Sequence, residues 1–197
     1  GAKQWDIDKA AVLTQLGYKV LVVDYYGQGK RGTDMESSAV LMQKFTADRA
    51  AMRGQLLDAL SELRKLPGVD ASRTGAIGFC LGGKCVLDLV RAGADIKGGV
   101  VFHGVYDAPT FPNAKMTAKL LVCHGWNDPL CPPDATVGLA KELTDAGVDW
   151  QLIAYGHTGH AFTADNMPLD AGKTFGFQPD TNRRSWQAMK DFFSEIL

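Results

Sequence analysis

Five short runs rich in Val, Ile and Leu, separated by longer segments with helical spacing, constrain the possible folds of this chain more than any other feature. The runs are Lys19–Val23, Thr74–Ile77, Gly99–His103, Leu120–His124 and Trp150–Tyr155. Each has the length of a strand and the apolar character of one covered on both faces, as in a parallel sheet. The helical segments are Ile7–Leu16, Ala47–Lys65, Lys84–Ala92, Ala135–Ala146 and Asn182–Ile196. Gly17 and Gly147 each follow a helical stretch just before a strand, where a C-cap glycine belongs, and Pro67-Gly68 stops the long second helix. Strands alternating with helices of this length predict an α/β fold, a mainly parallel central sheet with helices on both faces. The 197 residues suffice for one domain spanning 1–197 with a sizeable core, and are few for two. Ligand sites in such sheets gather at the carboxyl ends of the strands. The loops after Val23, Ile77, His103, His124 and Tyr155 are therefore the places to inspect.

Composition excludes several functions. A net charge of -1 with scattered basic residues fits neither a nucleic acid nor an acidic membrane surface. No apolar run reaches the roughly 20 residues needed to span a bilayer. The four cysteines, Cys80, Cys85, Cys123 and Cys131, form no C-x-x-C pair, no zinc spacing and no disulfide framework. Free thiols in a domain of this size predict a reducing, cytoplasmic setting, with the chain a monomer or weak dimer acting on a small molecule.

The sharpest local signal is Gly78-Phe79-Cys80-Leu81-Gly82-Gly83, directly after one strand and opening the next helix. This is the strand–turn–helix pattern G-x-S-x-G of a nucleophile elbow, with Cys in place of Ser. The tight turn lifts its central residue to the head of the helix, where the dipole and free N–H groups favour a thiolate. A cysteine at such a junction can also be plain packing. The glycines on both sides and the strand-before, helix-after context favour the nucleophile. Cys85 and Cys123, inside a helix and a strand, read as packing residues. Cys131 lies in a proline-flanked loop where it could be accessible, but nothing pairs it with a base.

A thiol nucleophile needs a base and a proton donor for the leaving group. His124-Gly125-Trp126-Asn127-Asp128-Pro129 and Gly156-His157-Thr158-Gly159-His160-Ala161-Phe162 each follow a strand. The order Cys80, Asp128, His160 is the nucleophile–acid–histidine order of α/β-hydrolase triads. His160 would shuttle the proton while Asp128 holds its tautomer. His157 is a rival only three residues away, and Gly159 before His160 with Phe162 after it favours His160. His103 and His124, at strand ends, read as satisfying backbone or turn groups. Asp128 alone could be an Asx-turn residue, whereas Asp107 and Asp149 lack its position in the order. Tyr26 and Trp126 either line the substrate pocket or pack.

Taken together these motifs resemble the dienelactone hydrolase (carboxymethylenebutenolidase-like) family of the α/β-hydrolase superfamily. The resemblance includes Asp24-Tyr25-Tyr26-Gly27, the Cys80 elbow, His124-Gly125 through Asp128, Gly159-His160-Ala161-Phe162, and Arg183-Arg184-Ser185-Trp186 opening the last helix. It implies Cys80 as nucleophile, Asp128 as acid, His160 as base, the Leu81 backbone N–H as one oxyanion donor, and no metal or organic cofactor. The expected reaction is hydrolysis of a small ester or lactone through a thioester. Attack on activated aryl esters or phosphotriesters, and a silent binding module, are the alternatives. A redox role for Cys80 is weaker, because no resolving cysteine lies within a short motif.

Two departures from the family pattern matter. Its type enzymes hold a substrate carboxylate with two arginines, but Gly32–Ala47 contains no Arg, and Ala164 stands four residues after His160. An unpaired buried carboxylate is costly, so the expected substrate is neutral or differently charged. Family members also carry further strands ahead of the position of Gly1. One of these lies between the Lys19–Val23 and Thr74–Ile77 strands and supplies the second oxyanion donor and a glutamate beside the cysteine. The expectation is that this sequence is an N-terminally incomplete piece of a longer protein.

Overall fold

Gly17 and Gly147 adopt the left-handed conformation (φ 94° and 69°) that the sequence pattern asks of them. Each closes a Schellman motif, in which Tyr18 N–H bonds Leu13 O and Val148 N–H bonds Leu143 O. These caps belong to two compact units, Gly1–Ala71 and Ser72–Leu197, in a computed structural model that describes residues 1–169 and 174–197.

The first unit holds helices α1 (Gln4–Gln15), α2 (Met35–Thr46) and α3 (Arg49–Lys65). Helix α2 has no counterpart among the sequence expectations. Its start is set by Asp34, whose carboxylate accepts from Ser37 N–H at 2.8 Å while Ser37 Oγ accepts from Asp34 N–H at 3.2 Å. That reciprocal cap carries Ser where the familiar pattern has Glu or Gln. Asp48 caps α3 by accepting from Ala51 N–H at 2.9 Å. The strand expected at Lys19–Val23 does not form, and the run has no regular secondary structure. A strand exists only through its ladder, and no strand among the described residues pairs with this one.

The second unit takes up the other four runs as β1 (Gly75–Phe79), β2 (Gly98–Phe102), β3 (Lys119–Gly125) and β4 (Trp150–Tyr155). They form one parallel sheet in the order β1-β2-β3-β4. Helices α4 (Leu81–Arg91), α5 (Pro133–Asp145) and α6 (Pro179–Ile196) complete the unit. Adjacent glycines of β2 show that both faces are covered. A Cβ at Gly98 would run into Phe192 and Ile196 of α6, and one at Gly99 into Val86 of α4, with Val90 in contact. Successive strand residues face opposite ways, so α4 and α6 lie on opposite faces. Val100, Val101, Phe102, Leu120, Leu121 and Val122 are accordingly buried, each stabilising the fold by about 1.5–3 kcal/mol.

One buried ionic cluster ties the helices to the loop after β2. Arg91, at the end of α4, donates to Asp88, to both carboxylate oxygens of Glu142 on α5, and to the carbonyls of Tyr106 and Asp107. Its five N–H groups in a planar fork suit such a multiple role.

Candidate active site

Cys80 sits between β1 and α4 with φ 52° and ψ -114°, a region in which residues with a Cβ are strained. The strain persists because its surroundings fix it. Cys80 N–H bonds Phe102 O at 3.1 Å, and Lys84 N–H bonds Cys80 O at 3.3 Å. Glycine is required on either side. A Cβ on Gly78 would meet Gly82 O at 2.0 Å, and one on Gly83 would meet the Gly104 Cα at 2.7 Å. The thiol is partly exposed at the helix head. Leu81, as the first residue of α4, has an N–H without an intrahelical acceptor.

Asp128 and His160 come from the loops after β3 and β4 and meet in the interior. Nδ1 of His160 and Oδ2 of Asp128 are 2.7 Å apart, with side chains 1% and 0% exposed. The second carboxylate oxygen accepts from Leu130 N–H at 2.8 Å, which fixes the acid's rotamer. Burial by itself pulls the His160 pKa down. Hydrogen bonding to Asp128 and to Cys80, with the charges of both, outweighs burial and raises it to about 9. Nε2 of His160 is buried and has no hydrogen bond of ordinary geometry, a common looseness in an unliganded site. The imidazole is thus anchored on one nitrogen, with the Cys80 sulfur acting on it.

The remaining sequence candidates separate clearly. His157 is exposed, with φ 56°. His124 is buried between two hydroxyls, Tyr106 Oη at 3.0 Å from Nδ1 and Thr136 Oγ1 at 3.2 Å from Nε2. His103 is buried with Nε2 2.8 Å from Thr163 Oγ1. Both therefore bond side-chain hydroxyls rather than the backbone or turn groups expected of them. Burial, with a smaller contribution from nearby His160, pushes the His103 pKa well below the usual imidazole value, so this ring is neutral. Cys131, for which the loop left access open, is inaccessible. It is 1% exposed, its Sγ donates to Gly104 O at 3.2 Å, and burial pushes its pKa up to about 12. Trp126 is 47% exposed on the loop that carries Asp128. Tyr26 packs in the first unit with Tyr25 and Phe45.

The surroundings of His160 have no signature in the sequence pattern. The ring of His103 forms a T-shaped pair with it at a centroid distance of 5.0 Å, and that of Phe175 lies against it at 5.2 Å with a 30° tilt. Only Gly159, which leaves room for a second backbone segment, hinted at the Phe175 contact. Among the described residues no group of three or more His, Cys, Asp or Glu is arranged to hold a metal ion.

Comparison with known proteins identifies the family and the fold. The Caenorhabditis elegans protein K02A2.1 is 30% identical over 160 residues, 77% of this chain and 99% of the relative. A solved structure designated m3DLH superposes with a TM-score of 0.87 at 39% identity, covering 96% of this chain and 80% of that one. A dienelactone hydrolase-like promiscuous phosphotriesterase from metagenomic libraries superposes with a TM-score of 0.88 at 34% identity, covering 96% and 79%. The sequence pattern of one family extends over residues 1–197, and on that match this α/β-hydrolase-fold chain belongs to the dienelactone hydrolase family.

Proposed function

We propose that this hydrolase cleaves small carboxylic esters or lactones through a thioester on Cys80, with His160 as proton carrier and Asp128 as its orienting acid. The observation that carries the reading is the buried 2.7 Å contact between His160 Nδ1 and Asp128 Oδ2. It spends one ring nitrogen on orientation and leaves Nε2 for the cysteine. Cys80 transfers its proton to Nε2, and the thiolate attacks the ester carbonyl carbon. The carbonyl π electrons move to oxygen, where the Leu81 N–H at the head of α4 donates to the oxyanion. Collapse of the tetrahedral intermediate breaks the C–O bond, and His160 gives its proton to the departing alkoxide. Water, deprotonated by the same imidazole, attacks the thioester. The thiolate leaves, and the acid product is released.

A second reading, attack on phosphotriesters by the same thiolate, is favoured by one specific observation. A neighbour named for promiscuous phosphotriesterase activity is 34% identical in sequence to this chain. Both readings need the same three side chains. p-Nitrophenyl acetate hydrolysis by the wild type, Cys80→Ala and His160→Ala is the first test. Each variant is expected to lose at least about a hundredfold in kcat/KM, roughly 2.7 kcal/mol of transition-state stabilisation. A wild type no faster than its variants overturns the proposal.

A further inference from the structure

Resting on the proposed role of His160, we propose that Phe175 is a positioning residue for the reaction, its ring face holding the protonated imidazole in place between proton transfers. Four observations converge on it. First, the backbone on either side of Phe175 is pinned to His160 itself. His160 N–H bonds Thr174 O at 2.8 Å, and Gly176 N–H bonds His160 O at 2.9 Å. Second, the approach requires Gly159, since a Cβ there would lie 2.1 Å from the Thr174 carbonyl carbon. Third, the two rings lie close and at a shallow tilt, centroids 5.2 Å apart at 30°, within the range of a cation–aromatic contact. Fourth, Phe175 stays 46% exposed, so packing into the core is not what fixes it.

Chemistry explains why an aromatic ring suits this place. During turnover His160 carries a positive charge in a buried site, and an aromatic face attracts a cation through its quadrupole. The groups that face His160 from other elements are Asp128 from the loop after β3, Cys80 from the head of α4 and His103 from the end of β2. His124, at the end of β3, is near enough to feel its charge. Of these Asp128 is a carboxylate, and Cys80 becomes an anion only when its proton passes to His160. His103 is neutral and its ring stands at 66° to that of His160, against 30° for Phe175. Phe175 supplies an aromatic ring without adding a charge or a competing hydrogen bond.

The test combines ring NMR with kinetics on wild type, Phe175→Leu, which keeps an apolar side chain, and Phe175→Tyr, which keeps the aromatic face. The chain has 4 histidines, so His160→Ala assigns the His160 ring signal by difference. Phe175→Leu is expected to lower the titration midpoint of that signal by about half a pH unit, about threefold in the protonation equilibrium. The alkaline limb of kcat/KM should move with it and kcat should fall severalfold, whereas Phe175→Tyr should match the wild type. A midpoint unmoved in Phe175→Leu, or lowered equally in Phe175→Tyr, overturns the inference. Full activity in His160→Ala instead overturns the proposed function, and the NMR midpoint still decides whether Phe175 holds the imidazolium.

Discussion

Cys80 occupies a backbone conformation that glycine adopts without strain and other residues adopt at a cost of about 1–3 kcal/mol. Nothing in the packing of the thiol itself requires this. The conformation sets the side chain at the helix head, so under the proposed role of Cys80 it serves the reaction while opposing stability. A comparison of two inactive variants isolates the cost. Cys80→Gly is expected to be more stable than Cys80→Ala by about 1 kcal/mol in urea unfolding, although glycine loses more entropy on folding. Equal midpoints would mean that the turn is not strained. At His160 the shift to about 9 fixes a sign. A histidine whose pKa is higher in the folded state than the ordinary 6.5 stabilises the fold fully below about 6.5, and that stabilisation is lost as pH rises through about 9. Asp128→Asn removes a charge and an acceptor. Its alkaline limb of kcat/KM should therefore lie below the wild-type limb, and its deficit in Tm should shrink as the pH is raised from 6.5 toward 9. A deficit constant across that window would remove the coupling between the two groups.

Elements were legible where pattern and pairing coincide. The four runs that became β1–β4 were apolar, were set off by glycine or proline, and each found a partner. The elbow was legible because its glycines are dictated by backbone contact, as the 2.0 Å clash of a Gly78 Cβ shows. Gly78→Ala is accordingly expected to cost about 3 kcal/mol or to prevent folding. Lys19–Val23 misled because apolar character says nothing about whether a neighbouring strand exists. Helix α2 was missed because its start rests on an Asp34–Ser37 exchange and its apolar residues Val40 and Met42 are exposed, which leaves little period to read. The Arg91 cluster was invisible for another reason: its partners lie 3, 15, 16 and 51 residues away. Removing a buried, multiply bonded charge is costly. Arg91→Met should therefore destabilise by about 3–5 kcal/mol. Glu142→Gln, whose carboxylate is 21% exposed, should cost clearly less.

At the scale of the whole molecule, charge decides more about the substrate than the sheet does. The order Cys80, Asp128, His160 could be read from the sequence because α/β sheets deliver loops to one end in chain order. The contact of Phe175 with His160 could not be read, because a backbone bridge sets it rather than a residue pattern. Substrate charge lies between these cases. The chain as a whole is nearly neutral, at -1, so long-range steering of an anion is weak. Locally, Ala164 offers no cation four residues after His160. The one buried guanidinium described near α4, Arg91, is already held by Asp88 and Glu142. A substrate carboxylate entering such a site would lose its hydration without gaining a fork of N–H donors in return. For two esters with the same leaving group, one with a neutral acyl chain and one ending in a carboxylate, kcat/KM should favour the neutral ester by at least about tenfold, or 1.4 kcal/mol. Most of that difference should appear in KM, because the penalty is incurred on binding. Placing a guanidinium at the empty position by Ala164→Arg should narrow the ratio. A wild type that prefers the carboxylate ester would mean that a cation outside these residues serves the site.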